Sequence, residues 1–278
     1  MPIASSHEVL GTAAAEGRAV AAFNVITLEH AEAIVAGATR EQAPVILQLS
    51  QNAIRFHERP TAIAAAMHAV AETAPGPVVL HLDHLTDPDL LRQTAELGFS
   101  SVMFDGSTLD YADNVAATAA AVDWGRQHGI WIEAELGEVG GKDGAHAPGV
   151  RTDPAEAAAY VAATGVDALA VAVGSSHAMT TQSAALDLDL IRRLADAVPV
   201  PLVLHGSSGV PDAELAAARD RGMRKINIGT ALNISYTGAI RAALAESDGV
   251  DPRRYLAQAR AAVTDTVAHA ISVLTPAT

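Results

Sequence analysis

Residues 77–84 read PVVLHLDH. A proline opens the run, Val78, Val79, Leu80 and Leu82 make it apolar, and Asp83 and His84 close it. Such a run fits a short strand buried on both faces, with its polar chemistry gathered at the carboxyl end. Two later stretches repeat the pattern, ALAVAVGSSH at 168–177 and PLVLHG at 201–206. Strand ends far apart in sequence converge at one mouth of a parallel barrel, so His84, His177 and His205 are expected to meet there. Three imidazoles with a fourth position left open make a catalytic zinc site.

Working outward, short β-rich runs alternate with alanine-rich stretches. Strands are expected at 19–24, 44–49, 77–82, 101–104, 130–135, 168–173, 201–205 and 225–229. Helices are expected at 28–42, 60–74, 87–97, 111–128, 154–164, 187–197, 211–221 and 231–247. Asp87-Pro88 and Asp153-Pro154 supply a capping carboxylate and a first-turn proline. Gly98, Gly129, Gly165 and Gly222 follow helix ends. Eight strands separated by helix-length segments are the count of an α/β fold, the (β/α)8 TIM barrel. The expectation is a single barrel domain over 1–278, flanked by an N-terminal helix (5–17) and a C-terminal helix (252–273). Residues 136–153, LGEVGGKDGAHAPGVRTD, read as a long glycine-rich loop, and long loops in compact domains are often lids.

Half of the 278 residues are apolar, but only four Phe, four Tyr and two Trp are present. The core is therefore expected from Ala, Val, Leu and Ile. Absence of cysteine excludes disulfides and thiolate ligands. A net charge of −14 without a basic stripe argues against nucleic acid or an anionic membrane as partner. The first residues lack the basic start and apolar core of a signal peptide, and no apolar run is long enough to span a bilayer. A cytoplasmic protein is the expectation.

Polar residues gather where the strands end: Asn24, Ser50, Asp83, His84, Asp105, Glu133, Glu135, Ser175, Ser176, His177, His205, Asn227 and Thr230. Asp83 reads either as a proton carrier beside a reacting oxygen or as a partner orienting a metal-bound histidine. Asp105 and Glu135 read as ligands of a second or migrating cation, or as hydrogen-bonding groups of the barrel mouth. His81 lies two residues before Asp83 and should point to the same side; a barrel-interior role is expected for it. His7, His30, His57, His68, His128 and His269 are expected at the surface, while His146 in the lid is left open. HGSSGVPDAEL (205–215) and KINIGTAL (225–232) each run from strand through small residues into a helix. Backbone N–H groups of Ser207, Ser208, Gly229 and Thr230 there suit a phosphate, and barrel phosphate sites commonly use these two loops.

With these residues in order, the chain resembles the class II, zinc-dependent ketose-bisphosphate aldolases, of the fructose- and tagatose-bisphosphate type. The resemblance runs through AFNV (22–25), HLDH (81–84), SVMFDGS (101–107), EAELGEVGG (133–141) and TDP (152–154). It continues through AVAVGSSH (170–177), LHGSSG (204–209), KINIGT (225–230) and DPRRYL (251–256). It implies reversible cleavage of a ketose 1,6-bisphosphate to dihydroxyacetone phosphate and an aldehyde. It also implies zinc or another divalent metal on His84, His177 and His205, with Asp105 and Glu135 at a second or alternative metal position. Asp83 would protonate the aldehyde-derived oxygen. Gly206, Ser207 and Ser208, with Asn227, Ile228, Gly229 and Thr230, would hold dihydroxyacetone phosphate. Asn24 and Ser50 would contact substrate, and Arg253 or Arg254 would reach the distal phosphate, as in a homodimer or homotetramer.

Carbon–carbon cleavage beside a carbonyl leaves an enediolate, whose charge falls to a divalent cation when no lysine imine forms. The lysines are Lys142 and Lys225, and neither sits in an imine-forming pattern. Three positions depart from the resemblance. Asp143 in GGKDG (140–144) stands where a proton-carrying glutamate is usual. Ala178 replaces a glycine, beside the phosphate or a bound monovalent cation. The stretch 142–152 is short. These departures keep two alternatives in view: a different aldehyde or ketose-phosphate substrate, or a sugar-phosphate-binding barrel with weak catalysis.

Overall fold

The computed structural model describes residues 3–136 and 150–275. Eight strands, β1 (Val20–Asn24), β2 (Val45–Ser50), β3 (Val78–Leu85), β4 (Ser101–Phe104), β5 (Trp131–Leu136), β6 (Ala168–Val171), β7 (Leu202–Leu204) and β8 (Met223–Ile228), close into a barrel in chain order. Every neighbouring pair is parallel, and β1 closes on β8. Helices fill the crossovers: α2 (Leu28–Arg40), α3 (Gln51–Phe56) with α4 (Thr61–Glu72), α5 (Pro88–Arg92), α6 (Tyr111–His128), α7 (Pro154–Thr164), α8 (Leu188–Ala197), α9 (Asp212–Arg221) and α10 (Thr230–Glu246). This is the (β/α)8 barrel expected from the sequence. An α1 (Ser6–Ala15) precedes β1, and α11 (Pro252–Leu274) packs along α2 and α10.

Strand periodicity of two sorts side chains between two layers. Phe23, Leu47, Leu49, Leu80, Leu82, Ile132 and Leu204 join the helices in the outer core. Residues of the opposite parity fill the barrel. At its amino end Val20, Ala22, Ile46 and Val79 meet Val9, Leu10 and Ala13 of α1, which plugs that end. A further interior cluster holds Met103, Ala168, Ala170 and Val203. Toward the carboxyl end the same parity delivers Asn24, Gln48, Asp83, Asp105, Glu133, Glu135, His205 and Asn227.

Caps follow the sequence signals. Asp153 accepts from the N–H groups of Ala155 and Glu156, and Asp87 from that of Asp89. Gly129 and Gly165 end α6 and α7 in the left-handed conformation. Thr152 rejoins the sheet: its hydroxyl donates to the Leu136 carbonyl and accepts from Ala172 N–H.

Four expectations need correction. The helix expected over 87–97 is α-helical only at Pro88–Arg92 and continues as turns to Gly98. The short α3 was not foreseen; the Ser50 hydroxyl caps it by accepting from Ala53 N–H. His84 does not follow β3 but lies within it. His30 is not at the surface: it is 3% exposed, and its ring stacks on Tyr236 with centroids 4.5 Å apart.

Candidate active site at the carboxyl mouth of the barrel

A cavity of about 490 Å³ opens at the carboxyl ends of the strands. Asn24, Ser50, Asp83, His84, His177, Gly206, Ser208, Asn227, Gly229 and Thr230 all line it, as expected. Parity alone would turn His84 toward the helices beside Leu82. Instead His84 adopts φ +53°, and the pairing of β3 with β4 shifts between Leu82 and Leu85. A bulge of this kind re-aims one side chain, and it carries the imidazole into the mouth.

There the three histidines converge. Ring centroids of His84 and His205 are 4.6 Å apart, those of His84 and His177 5.2 Å, and those of His177 and His205 5.8 Å. One ligand nitrogen from each lies within 4.8 Å of the other two. The hydrogen-bond pattern tests whether a metal fits. Asp105 Oδ2 is 2.8 Å from His84 Nδ1, and Glu133 Oε1 is 3.1 Å from His205 Nε2. Ionised carboxylates only accept, so these two nitrogens are assigned the ring hydrogens; the Asn227 Nδ2, also 3.1 Å from His205 Nε2, then donates to Asp83 Oδ1. The other nitrogens, His84 Nε2 and His205 Nδ1, then face each other at 3.0 Å with lone pairs. Burial and the neighbouring His84 hold the His205 imidazole neutral, well below its ordinary range. Two neutral rings so arranged repel unless a cation lies between their lone pairs. Tetrahedral zinc with imidazole bonds of about 2.0–2.1 Å places ligand nitrogens roughly 3.3 Å apart. The donor set therefore fits a divalent metal. His84, Asp105 and Glu135 form a second group with ligand atoms within 4.8 Å, sharing His84 with the first.

Asp83 is 2% exposed and surrounded by amide donors. Asn24 Nδ2 stands 3.3 Å from its Oδ2, Gln48 Nε2 3.4 Å from the same oxygen, and Asn227 Nδ2 3.4 Å from Oδ1. Burial pushes the carboxyl up, but the electrostatic influence of the neighbouring His84, His205 and Lys225 side chains and the Asn24 hydrogen bond outweigh it, leaving it below the usual range. Gln48 escaped the sequence reading because a glutamine inside an apolar strand carries no motif. Its Oε1, like Asn227 Oδ1, is buried without a hydrogen-bond partner among the described residues. Both residues line the cavity, so a hydroxylated substrate there would satisfy them.

The two small-residue loops lie side by side. Ser207 Oγ donates to the Asn227 carbonyl, and Ser208 Oγ accepts from Ala231 N–H. Gly206 adopts φ +67°, and a Cβ there would sit 2.5 Å from the Ser176 carbonyl carbon. Only glycine lets the loop bearing His205 press against the one bearing His177. A Cβ at Gly229 would sit 2.7 Å from Asn24 Oδ1. Behind the mouth, Asn114 Nδ2 donates to the Glu135 carbonyl at 3.3 Å, while its Oδ1 accepts from Tyr160 and Thr118.

Residues 4–277 match the family described as Fructose-bisphosphate aldolase class-II. The chain belongs to the class II fructose-bisphosphate aldolase family. A Bacillus subtilis (strain 168) relative named "Probable fructose-bisphosphate aldolase" is 39% identical over 272 residues, covering 96% of this chain and 95% of that one. The crystal structure of the YdjI aldolase of Escherichia coli K12 superposes with a TM-score of 0.85 at 30% identity, covering 98% and 97% of the two chains. The fold alone is shared with fructose-bisphosphate aldolase of Campylobacter jejuni, at TM-score 0.84, 22% identity and coverage of 98% and 95%.

The remaining expected residues of this class II aldolase stand as follows. Ile228, expected to hold the substrate, is instead buried in the outer core and is not among the residues lining the cavity, because strand parity turns its side chain toward the helices. Arg253 and Arg254 lie on the first turn of α11, outside the cavity lining; the Arg253 guanidinium is exposed and pairs with Asp251 at 2.7 Å. Lys225 is 1% exposed, with Nζ 2.7 Å from Glu133 Oε2, and is thus withheld from any carbonyl substrate. Asp143, Lys142 and His146 lie outside the described residues.

Proposed function

We propose that the chain is a zinc-type aldolase that reversibly cleaves a ketose 1,6-bisphosphate of the fructose or tagatose kind to dihydroxyacetone phosphate and an aldehyde. The observation that carries this reading is the convergence of His84, His177 and the buried His205, the first two lining one cavity with Asp83. These three histidines would hold the metal, with Asp105 and Glu135 able to serve an alternative position through His84. A divalent cation supplies charge that stabilises the enediolate left by carbon–carbon cleavage. Asp83 accepts the proton of the C4 hydroxyl as the bond to C3 breaks, and returns it to the aldehyde oxygen in condensation. Asn24, Gln48 and Asn227 hold that carboxylate and the substrate hydroxyls. Ser50 completes the wall beside them. Backbone N–H groups around Gly206–Ser208 and Gly229–Thr230 hold the phosphate of the dihydroxyacetone half. Asp143 is assigned the proton exchanged at C3, and Arg253 or Arg254 the distal phosphate. A single barrel domain, assembled as a dimer or tetramer and working in cytoplasmic sugar metabolism, completes the reading.

Ala178 supports a second reading, in which the same chemistry serves a different aldehyde or ketose phosphate. It lines the cavity at a position where the resemblance implies glycine, so a methyl group stands there in place of a hydrogen. One assay separates the readings: release of dihydroxyacetone phosphate from fructose and tagatose 1,6-bisphosphates, with and without a chelator. Chelator-sensitive cleavage of either is expected, and His84→Ala should abolish it. Zinc-loaded protein inert toward both sugars would move the assignment to another ketose phosphate or to a binding role. Full activity of His84→Ala without bound metal would overturn the metal mechanism.

A further inference from the structure

Below the histidine cluster the barrel interior holds charge that the mechanism above does not use. Lys225 and Glu133 are fully buried and 2.7 Å apart, directly beneath His205. Burying an ion pair costs desolvation that packed apolar residues would not incur, and the neighbouring interior residues Met103, Ala168, Ala170 and Val203 are apolar. The hydrogen bonds run in one consistent direction. Lys225 Nζ donates to Glu133 Oε2 and approaches His81 Nε2 at 3.5 Å. His81 Nδ1 meets Ser101 Oγ at 2.9 Å, and that hydroxyl donates to the Leu80 carbonyl. With Oε2 anchored on the ammonium, Glu133 turns Oε1 toward His205 Nε2, 3.1 Å away, the same distance at which the Asn227 Nδ2 stands, so the carboxylate competes with an amide donor for that ring atom. Four strands, β3, β4, β5 and β8, thus contribute to orienting one imidazole.

We propose that Glu133 and Lys225 are positioning residues: they hold the ring hydrogen of His205 on Nε2 and so aim the Nδ1 lone pair at the site shared with His84 and His177. The proposal rests on the reading of that cluster as a metal site. Outer carboxylates of this kind typically change metal affinity by about 10–100-fold.

A near-isosteric exchange makes the test sharp. In Glu133→Gln the ammonium of Lys225, which only donates, claims the amide oxygen. The amide N–H then faces His205 Nε2, which must accept, and the ring hydrogen moves to Nδ1, the metal-facing atom. Adding Lys225→Met frees the amide oxygen to turn back to His205. Two readouts apply: the zinc dissociation constant, from competition with a chromogenic chelator, and the imidazole ¹H–¹⁵N spectrum of the zinc-free protein. Expected are an Nε2–H tautomer in the native protein, and in Glu133→Gln an Nδ1–H tautomer with zinc binding weakened about 10–100-fold. Glu133→Gln/Lys225→Met should regain the Nε2–H tautomer and much of the affinity. A purely structural pair would leave the double variant no tighter than the single one, which overturns the proposal. So would unchanged tautomer and affinity in Glu133→Gln. The double variant removes the buried charge pair altogether, so it folds if either variant does. Native protein that binds no zinc would fell the metal reading itself, a result distinct from failure of the positioning role.

Discussion

Ala178 and His84 share a rare backbone state for residues with a side chain, φ +58° and +53°. At His84 the left-handed turn has a use, because it lifts the ring out of the helix-facing row and into the mouth. At Ala178 no such gain is visible, and a glycine would adopt the same geometry without the Cβ clash. Ala178→Gly is therefore expected to stabilise the fold by about 0.5–1 kcal/mol, after the extra chain entropy of glycine is subtracted. Urea unfolding at neutral pH measures it; a variant less stable than the native protein would show that the methyl group packs usefully. The sequence marked Ala178 as a departure but could not say that its backbone is left-handed.

Among elements, α2 crosses α11 closely. A Cβ at Gly37 would lie 2.6 Å from Val267 Cγ1 and 2.9 Å from the Thr264 carbonyl oxygen. Gly37→Ala should force the helices apart and cost about 1–3 kcal/mol, read as a lower denaturant midpoint. Higher helix propensity of alanine would raise the midpoint instead if the crossing can relax. At the start of α2, burial lowers the pKa of His30, although nearby Glu29 opposes this. The unfolded chain, with an imidazole near its ordinary value of about 6.5, then binds more protons than the folded one. Stability from this group is present above that pH and is lost as pH falls through it toward the folded value. Unfolding midpoints at pH 7.5 and 5.5 should differ less in His30→Asn than in the native protein, and an unchanged difference would refute the assignment. Helical periodicity placed α2 correctly, yet a histidine on its first turn reads as exposed. Only the packing of Tyr236 over the ring, from an element some 200 residues away, buries it.

For the molecule as a whole, a metal held by His84 of β3 and by His177 and His205 after β6 and β7 should couple binding to folding. At free metal of 100 times its dissociation constant the expected gain is about 2.7 kcal/mol. Thermal scans with and without chelator should show a lower midpoint for the stripped protein, rising again on adding zinc; coincident curves would count against a metal in the barrel. Eight strands, their order and the mouth residues were legible because strand period, apolar runs and helix caps are written in neighbouring residues. His205, Asp83 and Asn227 followed from parity and strand ends alone. The short α3 was not legible, since its six residues are held by one serine cap and by contact with β2 and β3. By itself, then, the chain determined the barrel and which strand ends carry chemistry, through local and periodic patterns. The tertiary structure alone decided that a bulge turns His84 inward and that Glu133 and Lys225, 92 residues apart, meet beneath His205. Those outcomes depend on register between strands and on exclusion of water from the barrel, and neither is encoded in any one segment.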